Sequence, residues 1–368
     1  MAKYFIGLMS GTSMDAIDAV LADFSSSQPS IISTASTPLP NDLKTLLLTL
    51  NLEQRIQLSE VVEADFRVAE LSAKTILQLI NNTNVRTQDV IAIGSHGQTI
   101  YHQPRTEYPS SLQVGDPSLI AERTNITTIA DFRRRDIACG GEGAPLVPAF
   151  HRHCFYTTKE KRTIVNIGGM ANITILRTDR DTETLGFDTG PGNVLMDHWC
   201  QLHKNKPFDH NGQWTSSGQV NSCLLESFLD DPYFKAPPPK STGRDLFNNL
   251  WLQERLKDND SLAPEDIQAT LCELTARSIT DAIKHYAPEN QQTIVCGGGA
   301  HNDALMGRLK SLSAHPVSSS ESFGLDPDWL EALAFAWLAQ QTVNHQTGNL
   351  PSATGANHAA ILGGIYYA

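Results

Sequence analysis

Two stretches of this chain share one layout. Tyr4-Phe5-Ile6-Gly7-Leu8-Met9 is apolar, breaks on Ser10-Gly11-Thr12-Ser13, and resumes as Ile17-Asp18-Ala19-Val20-Leu21-Ala22. Thr163-Ile164-Val165-Asn166-Ile167 is apolar, breaks on Gly168-Gly169, and resumes from Met170 to Leu176. Each reads as strand, tight glycine turn, strand. A third run, Thr293-Ile294-Val295-Cys296, enters Gly297-Gly298-Gly299 and then a helical pattern from Ala304 to Leu309. This repeat narrows the folds open to the chain. A hairpin at the head of each half, followed by helix and strand signals, asks for α/β layers. Three strand-to-glycine junctions suggest a ligand held between two similar halves, since glycine lets backbone come close to a ligand.

The order of elements carries the repeat further. In the first half the hairpin (4–24) leads to a strand near 31–38, a helical stretch at 58–81, and a short buried strand at 90–94. A short helix at 118–123 and a strand at 127–131 follow. In the second half the hairpin leads to a strand ending at Phe187-Asp188, helices at 193–204 and 263–286, and the strand that meets the three glycines. Gly140-Gly141-Glu142-Gly143-Ala144-Pro145 reads as a flexible linker. The stiff, polar Pro237-to-Asp245 stretch reads as a loop on a surface or cleft lip. The helix at 328–345 is apolar on most faces and is expected to be buried, with a place between domains as one possibility. The apolar tail at 361–367 is expected to dock on the first domain. The expected division is 1–135 with 346–368, and 136–345.

Composition excludes several classes. The 368 residues allow about two domains. A net charge of −12 without a long basic run argues against nucleic acid or an anionic membrane as the main partner. The cluster Arg133-Arg134-Arg135 is too short to change that. No run approaches the ~20 apolar residues of a membrane helix, and the apolar start is shorter than a signal-peptide core. The six cysteines are scattered with no C-x-x-C pair, which fits a reducing cytoplasm. His151-Arg152-His153-Cys154 lacks a further ligand and reads as structural. There is neither a G-x-x-x-x-G-K-[ST] nor a G-x-G-x-x-G motif, so the Walker and dinucleotide modes have no support.

At the first turn, Thr12 and Ser13 offer hydroxyls and amides, and Asp15 and Asp18 bring the carboxylates that a hydrated Mg²⁺ requires. That set suits a nucleoside triphosphate with its metal. An ordinary hairpin with a polar turn is the other reading.

Landmarks spread along the chain resemble one family. They are Gly7-Leu8-Met9-Ser10-Gly11-Thr12-Ser13-Met14-Asp15, Gly94-Ser95-His96-Gly97-Gln98-Thr99 and Ala130-Asp131-Phe132-Arg133-Arg134-Arg135-Asp136. Then come Asn166-Ile167-Gly168-Gly169-Met170-Ala171-Asn172, Gly186-Phe187-Asp188-Thr189-Gly190-Pro191-Gly192-Asn193, Cys296-Gly297-Gly298-Gly299 and Glu331-Ala332-Leu333-Ala334-Phe335-Ala336. The chain resembles the anhydro-N-acetylmuramic acid kinase family of bacterial cell-wall recycling. That family sits within the superfamily of hexokinase, actin and the heat-shock chaperone ATPases. The resemblance implies a two-lobed, duplicated ribonuclease-H-like α/β fold with a central cleft. It implies an ATP- and Mg²⁺-dependent, cytoplasmic, homodimeric enzyme without a nucleic-acid or membrane partner. The implied reaction phosphorylates O6 of 1,6-anhydro-N-acetylmuramic acid while water opens the anhydro ring. A hinge that closes on sugar and ATP together is part of the same expectation.

Residue roles follow from the matched motifs. Asp188 is the implied base; on sequence alone it is also a candidate N-cap for the next helix. Gly11, Thr12, Ser13, Met14, Asp15, Ala16, Ile17, Asp18, Gly168, Gly169, Asn172, Gly297, Gly298 and Gly299 are the implied nucleotide contacts, with Asp15 and Asp18 as Mg²⁺ ligands. Gln98, Arg134 or Arg135, Glu331 and Gly190 are candidates for the sugar. An arginine suits its lactyl carboxylate by bidentate pairing. Glu331 is equally an acid placed at a helix start, the arginines a solvated face, and His96 a packed strand-end histidine. A conformational ATPase and a kinase for another sugar are the competing functions.

Overall fold

The computed structural model describes residues 2–11, 14–52, 55–177, 184–257 and 261–368. The chain runs β1 (Tyr4–Met9), β2 (Ala16–Asp23), β3 (Ser30–Pro38), α1 (Asn41–Leu52), α2 (Leu58–Asn81), β4 (Val90–Ser95), β5 (Gln98–Gln103) and β6 (Ser110–Val114). It continues through α3 (Pro117–Thr124), β7 (Thr128–Ala130), α4 (Phe132–Ala138) and α5 (Val147–Phe155). Next come β8 (Arg162–Ile167), β9 (Met170–Leu176), β10 (Leu185–Pro191), α6 (Val194–Lys204), α7 (Ser222–Leu229), α8 (Pro232–Lys235), α9 (Asn249–Leu256) and α10 (Pro264–Tyr286). β11 (Gln292–Cys296), α11 (Asp303–Leu312), β12 (Val317–Ser319), α12 (Leu330–Val343), α13 (Pro351–Thr354) and β13 (Gly364–Tyr366) complete it. Among the described residues, no helix is long and apolar enough to cross a membrane.

Two compact units form, Met1–Cys154 with Trp329–Ala368, and Phe155–Asp328. Their divisions fall later and earlier than the expected 135/136 and 345/346. The reason is packing: residues 136–154 and the apolar helix α12 join the first unit.

The first unit holds a sheet ordered β13-β7-β4-β1-β2-β3, and the second a sheet ordered β10-β9-β8-β11-β12. In the first, β1–β2 and β2–β3 pair antiparallel while β4 runs parallel to β1 and β7 parallel to β4. In the second, β8–β9 and β9–β10 pair antiparallel while β11 runs parallel to β8 and β12 parallel to β11. Strand for strand the plan is the same, so the fold is the duplicated α/β architecture expected. β13, from the apolar tail, pairs antiparallel with β7. The tail therefore docks on the first unit by adding an edge strand.

Alternation builds each core. Ile6, Leu8, Ile17, Ala19, Leu21 and Ile93 pack with Leu43, Ala69, Ile76 and Leu79 in the first unit. Val165, Ile167, Ile173, Phe187, Leu271, Ile279 and Val295 do so in the second. On the other surface of the first sheet lies α12. Gly7 and Gly94 stand opposite one another on β1 and β4. A Cβ on Gly7 would lie 1.8 Å from the Ala332 carbonyl oxygen, and one on Gly94 2.0 Å from that of Phe335. The helix rests on bare strand backbone, which no other residue permits.

The expected flexible linker is a correction. Gly140 and Gly141 donate to the Ile137 and Asp136 carbonyls, and Glu142 to Thr354. Asp136 explains the geometry: it is fully buried, and its carboxylate accepts from the Gly143 amide, Asn349 Nδ2 and Thr354 Oγ1. A buried carboxylate must be satisfied this way, so the glycines wrap a polar anchor.

Candidate active site

In the second unit, register brings the chemistry together. Asn166 on β8 faces Asn172 on β9, which faces Asp188 on β10, with Cys296 of β11 beside Asn166. Residues directly opposite share a face of the sheet, so these side chains make one polar row at the ends of the strands. The pairing of β9 and β10 slips just after Asp188, and Gly190 takes φ +148°. A bulge of this kind re-aims the side chain next to it.

Asp188 is largely buried and well held. Its amide donates to the Lys240 carbonyl (3.2 Å) and its carbonyl accepts from the Tyr233 hydroxyl (2.7 Å). Oδ2 accepts from the Thr242 amide at 2.9 Å. Oδ1 accepts from none of the described residues. Burial lifts the carboxyl to about 6, against the pull of the Thr242 amide and the Lys240 charge. α6 begins at Val194 with Asn193 before it, so Asp188 is not its cap. A carboxylate with one oxygen gripped, one free, and an affinity for protons near neutrality can take a proton from a bound reactant. The Pro237-to-Asp245 loop, expected on a surface or cleft lip, is what covers it.

The glycine turns divide into two kinds. Around β11, a Cβ on Gly297 would lie 2.5 Å from Asn166 Oδ1, and one on Gly299 2.4 Å from Ile167 Cγ2. Gly297 also takes φ +78°. Those two glycines are required by packing. Gly298 meets nothing within 4 Å, and Gly168 and Gly169 nothing closer than 3.8 Å. Their missing side chains leave open space over backbone, the property a phosphate cradle needs. Gly192, Asn193 and Val194 donate back to the carbonyls of Gly168 and Gly169, fixing the turn. Gly298 opens on a cavity of about 380 Å³ lined by Asn193, Asp197, Phe208, Asn211, His301 and Asn302 among others.

In the first unit, Gly11 accepts from the Met14 amide across the turn, and Met14 takes φ +53°. Thr12 and Ser13 lie outside the described residues. Ile17 is buried in the core, so only its backbone is on offer, and Ala16 starts β2 beside it. Asp15 pairs with Lys44 (2.5 Å) and Asp18 accepts from Ser36 (2.7 Å). Among the described residues no three acidic, histidine or cysteine side chains gather as a metal cluster. Both carboxylates are thus engaged within the chain, Asp15 by Lys44 and Asp18 by Ser36.

Beside this turn lies a buried polar chain that the sequence reading only partly anticipates. The Ser10 hydroxyl donates to Gln98 Oε1 at 2.6 Å, and Gln98 Nε2 to the Thr99 carbonyl. Gln98 is 1% exposed, so its amide is committed to the loop. His96 Nε2 accepts from Arg133, which leaves Nδ1 to donate to the Ser10 carbonyl (3.2 Å). Burial, then the Arg133 charge, push His96 down to about 3, so the ring is neutral. Burial likewise lowers Arg133, to about 10, against the charges of Glu331 and Asp136. Glu331 sits in the first turn of α12. Arg134 instead lies on a solvated face with Asp131 at 3.6 Å and the Ser111 carbonyl at 3.2 Å, and Arg135 is exposed. Of the three arginines, Arg133 is the one inside the network with Glu331. Its neighbours along the chain share its chemistry, so only three-dimensional position separates them.

A family model described as anhydro-N-acetylmuramic acid kinase matches residues 3–368. The chain belongs to the anhydro-N-acetylmuramic acid kinase family. It is 48% identical to the kinase of that name from Coxiella burnetii (strain RSA 493 / Nine Mile phase I), over 99% of this chain and 97% of the relative. It is 47% identical to that of Photobacterium profundum over 98% of each, and 46% identical to that of Pasteurella multocida (strain Pm70) over 99% and 96%. The protein is accordingly an enzyme, a kinase, and the conformational-ATPase reading gives way to it. Among solved structures, a glucokinase of the ROK family from Streptomyces griseus is 11% identical with a TM-score of 0.43, covering 92% of this chain and 99% of that one, too loose a likeness to bear on function. Placed in this kinase family, the row ending in Asp188 is its candidate for proton transfer.

Proposed function

We propose that the protein uses ATP to phosphorylate O6 of 1,6-anhydro-N-acetylmuramic acid while water opens the anhydro ring, giving N-acetylmuramic acid 6-phosphate and ADP. The observation that carries the reading is Asp188, held by Oδ2, with Oδ1 accepting from none of the described residues. Its carboxylate removes a proton from water as the oxygen adds to C1. The C1–O6 bond breaks, and O6 takes the γ-phosphoryl group from ATP. The proton resides on Asp188, and the electron pair of the broken bond between the β- and γ-phosphates stays on an oxygen of ADP, the leaving group. General-base attack at an anomeric carbon and phosphoryl transfer thus share one carboxylate.

The nucleotide would lie along the open glycines, Gly168 and Gly169 at the phosphates with Asn172 beside them, and Gly298 at the nucleoside. Gly11, Thr12, Ser13 and Met14 to Asp18 would complete the phosphate contacts, and Asp15 and Asp18 would hold Mg²⁺. Mg²⁺ neutralises phosphate charge when bound. Gln98, Gly190, Glu331 and Arg134 or Arg135 would serve the sugar, an arginine pairing with its lactyl carboxylate. A cytoplasmic homodimer and a small amino sugar as partner belong to the same proposal.

The test is ADP release with Mg-ATP and 1,6-anhydro-N-acetylmuramic acid, N-acetylmuramic acid, N-acetylglucosamine or no sugar. Release with the anhydro sugar alone is the expected result; equal release without sugar would sink the proposal. Because the base must be ionised, kcat/KM should rise through about pH 6 and fall away below it.

The two kinds of glycine separate in the same assay. Gly298→Ala has room and should keep the melting temperature while raising KM for ATP about tenfold, or ~1.4 kcal/mol. Gly297→Ala, strained by its φ and its clash, should lower the melting temperature as well. Equal stability losses in both would refute the distinction.

A further inference from the structure

The segment from Tyr233 to Thr242 touches Asp188 at every polar atom it uses. The Tyr233 hydroxyl takes the Asp188 carbonyl, the Lys240 carbonyl takes its amide, and the Thr242 amide takes Oδ2. Phe234 lies against Gly190, so close that a Cβ there would stand 2.7 Å from Cε1. The segment therefore closes one side of the strand end rather than passing over it.

Lys240 is the unusual member. Its Nζ donates to the Tyr233 carbonyl at 3.0 Å and stands 4.6 Å from the Tyr233 ring centre and 5.9 Å from that of Phe187. A lysine normally moves freely in water. Here a carbonyl and two ring faces fix the ammonium within electrostatic reach of the carboxylate.

We propose that Tyr233–Thr242 is a positioning strap for the base, in which Lys240 is the fixed cation that keeps Asp188 ionised in a buried site. The proposal rests on Asp188 being the base. Geometry divides the labour. Backbone donors and acceptors set where the carboxylate points and are insensitive to side-chain changes. Lys240 sets how readily it holds a proton. Among the described residues, the groups facing Asp188 leave that task to Lys240. Asn172, opposite on β9, is uncharged. The Tyr233 hydroxyl is raised by burial and by the Asp188 charge, and stays neutral. Tyr286 of α10 packs edge-on against the adjoining Phe187 ring.

The experiment is the pH profile of kcat/KM for the anhydro sugar in Lys240→Met and Lys240→Gln, with KM for ATP and melting temperature measured alongside. Loss of a nearby opposite charge should move the acidic limb upward by about one pH unit, with KM for ATP unchanged. Lys240→Arg should restore the limb. Gln retains a hydrogen-bond donor, so it reports on charge if Met disturbs packing. A uniform loss of kcat at every pH, with the limb in place, would overturn the proposal and leave Lys240 a packing residue. Asp188→Asn separates the two claims. If that variant turns over, the base assignment fails. If it is inert and the Lys240 variants keep the wild-type limb, only the strap fails.

Discussion

Asp188→Asn is expected to lower kcat by roughly 10²–10⁴-fold, the usual weight of a general base, with ATP and the anhydro sugar still bound. Two features make the effect clean. The amide is nearly isosteric, and the Thr242 amide still has an oxygen to bind. Burial also opposes the charge on this carboxyl, so removing that charge should not lower the melting temperature. Loss of turnover with unchanged binding and stability would place Asp188 in the chemical step. A near wild-type rate would remove it from the mechanism. The phenotype should also be independent of pH, because the group that titrates near 6 is gone.

Gly7→Ala should be the most damaging single methyl group in the first unit. Overpacked cores commonly lose ~1–3 kcal/mol, and more when nothing can yield. Here the new carbon meets main chain, the Ala332 carbonyl oxygen at 1.8 Å and the Ala336 nitrogen at 2.7 Å. Neither has a rotamer to change. α12 would have to lift from β1, opening the apolar surface around Leu333 and Leu338. The loss should reach or pass the upper end of that range, read as a shift in the denaturant midpoint. A shift worth under ~1 kcal/mol would show that the helix is not seated on backbone. Gly94→Ala, next to it, should behave alike.

Much of this was legible in the sequence, for identifiable reasons. Period-two apolar runs bounded by glycine turns gave both hairpins and the repeat of strand order, because a strand buried on one or both faces must write its pattern into composition. The apolar tail and the nearly all-apolar α12 announced burial, though their address needed the structure. What escaped was carried by atoms that composition does not mark. The 140–145 stretch has the glycines of a linker, yet those glycines fold around Asp136, more than two hundred positions from its partner Thr354. β5 and β6 have the mixed polarity of loops. Arg133 is indistinguishable in sequence from Arg134. Lys240 and Thr242 lie far along the chain from Asp188, in a segment whose prolines read only as stiffness. Asn166 sits inside an apolar run, and only strand register places it in line with Asn172 and Asp188.

That line has a consequence for the order of events in a catalytic cycle. Asp188 ends a ladder of neutral amides, beside a lysine whose Nζ is spent on a backbone carbonyl and a tyrosine that holds its own proton. No described neighbour can receive what the carboxylate takes up. A base at this position would have no internal wire among the described residues, and would reset by handing its proton to bulk water. Regeneration of the enzyme would then be tied to the moment solvent regains the site, so the departure of products and the recovery of the base would become one event.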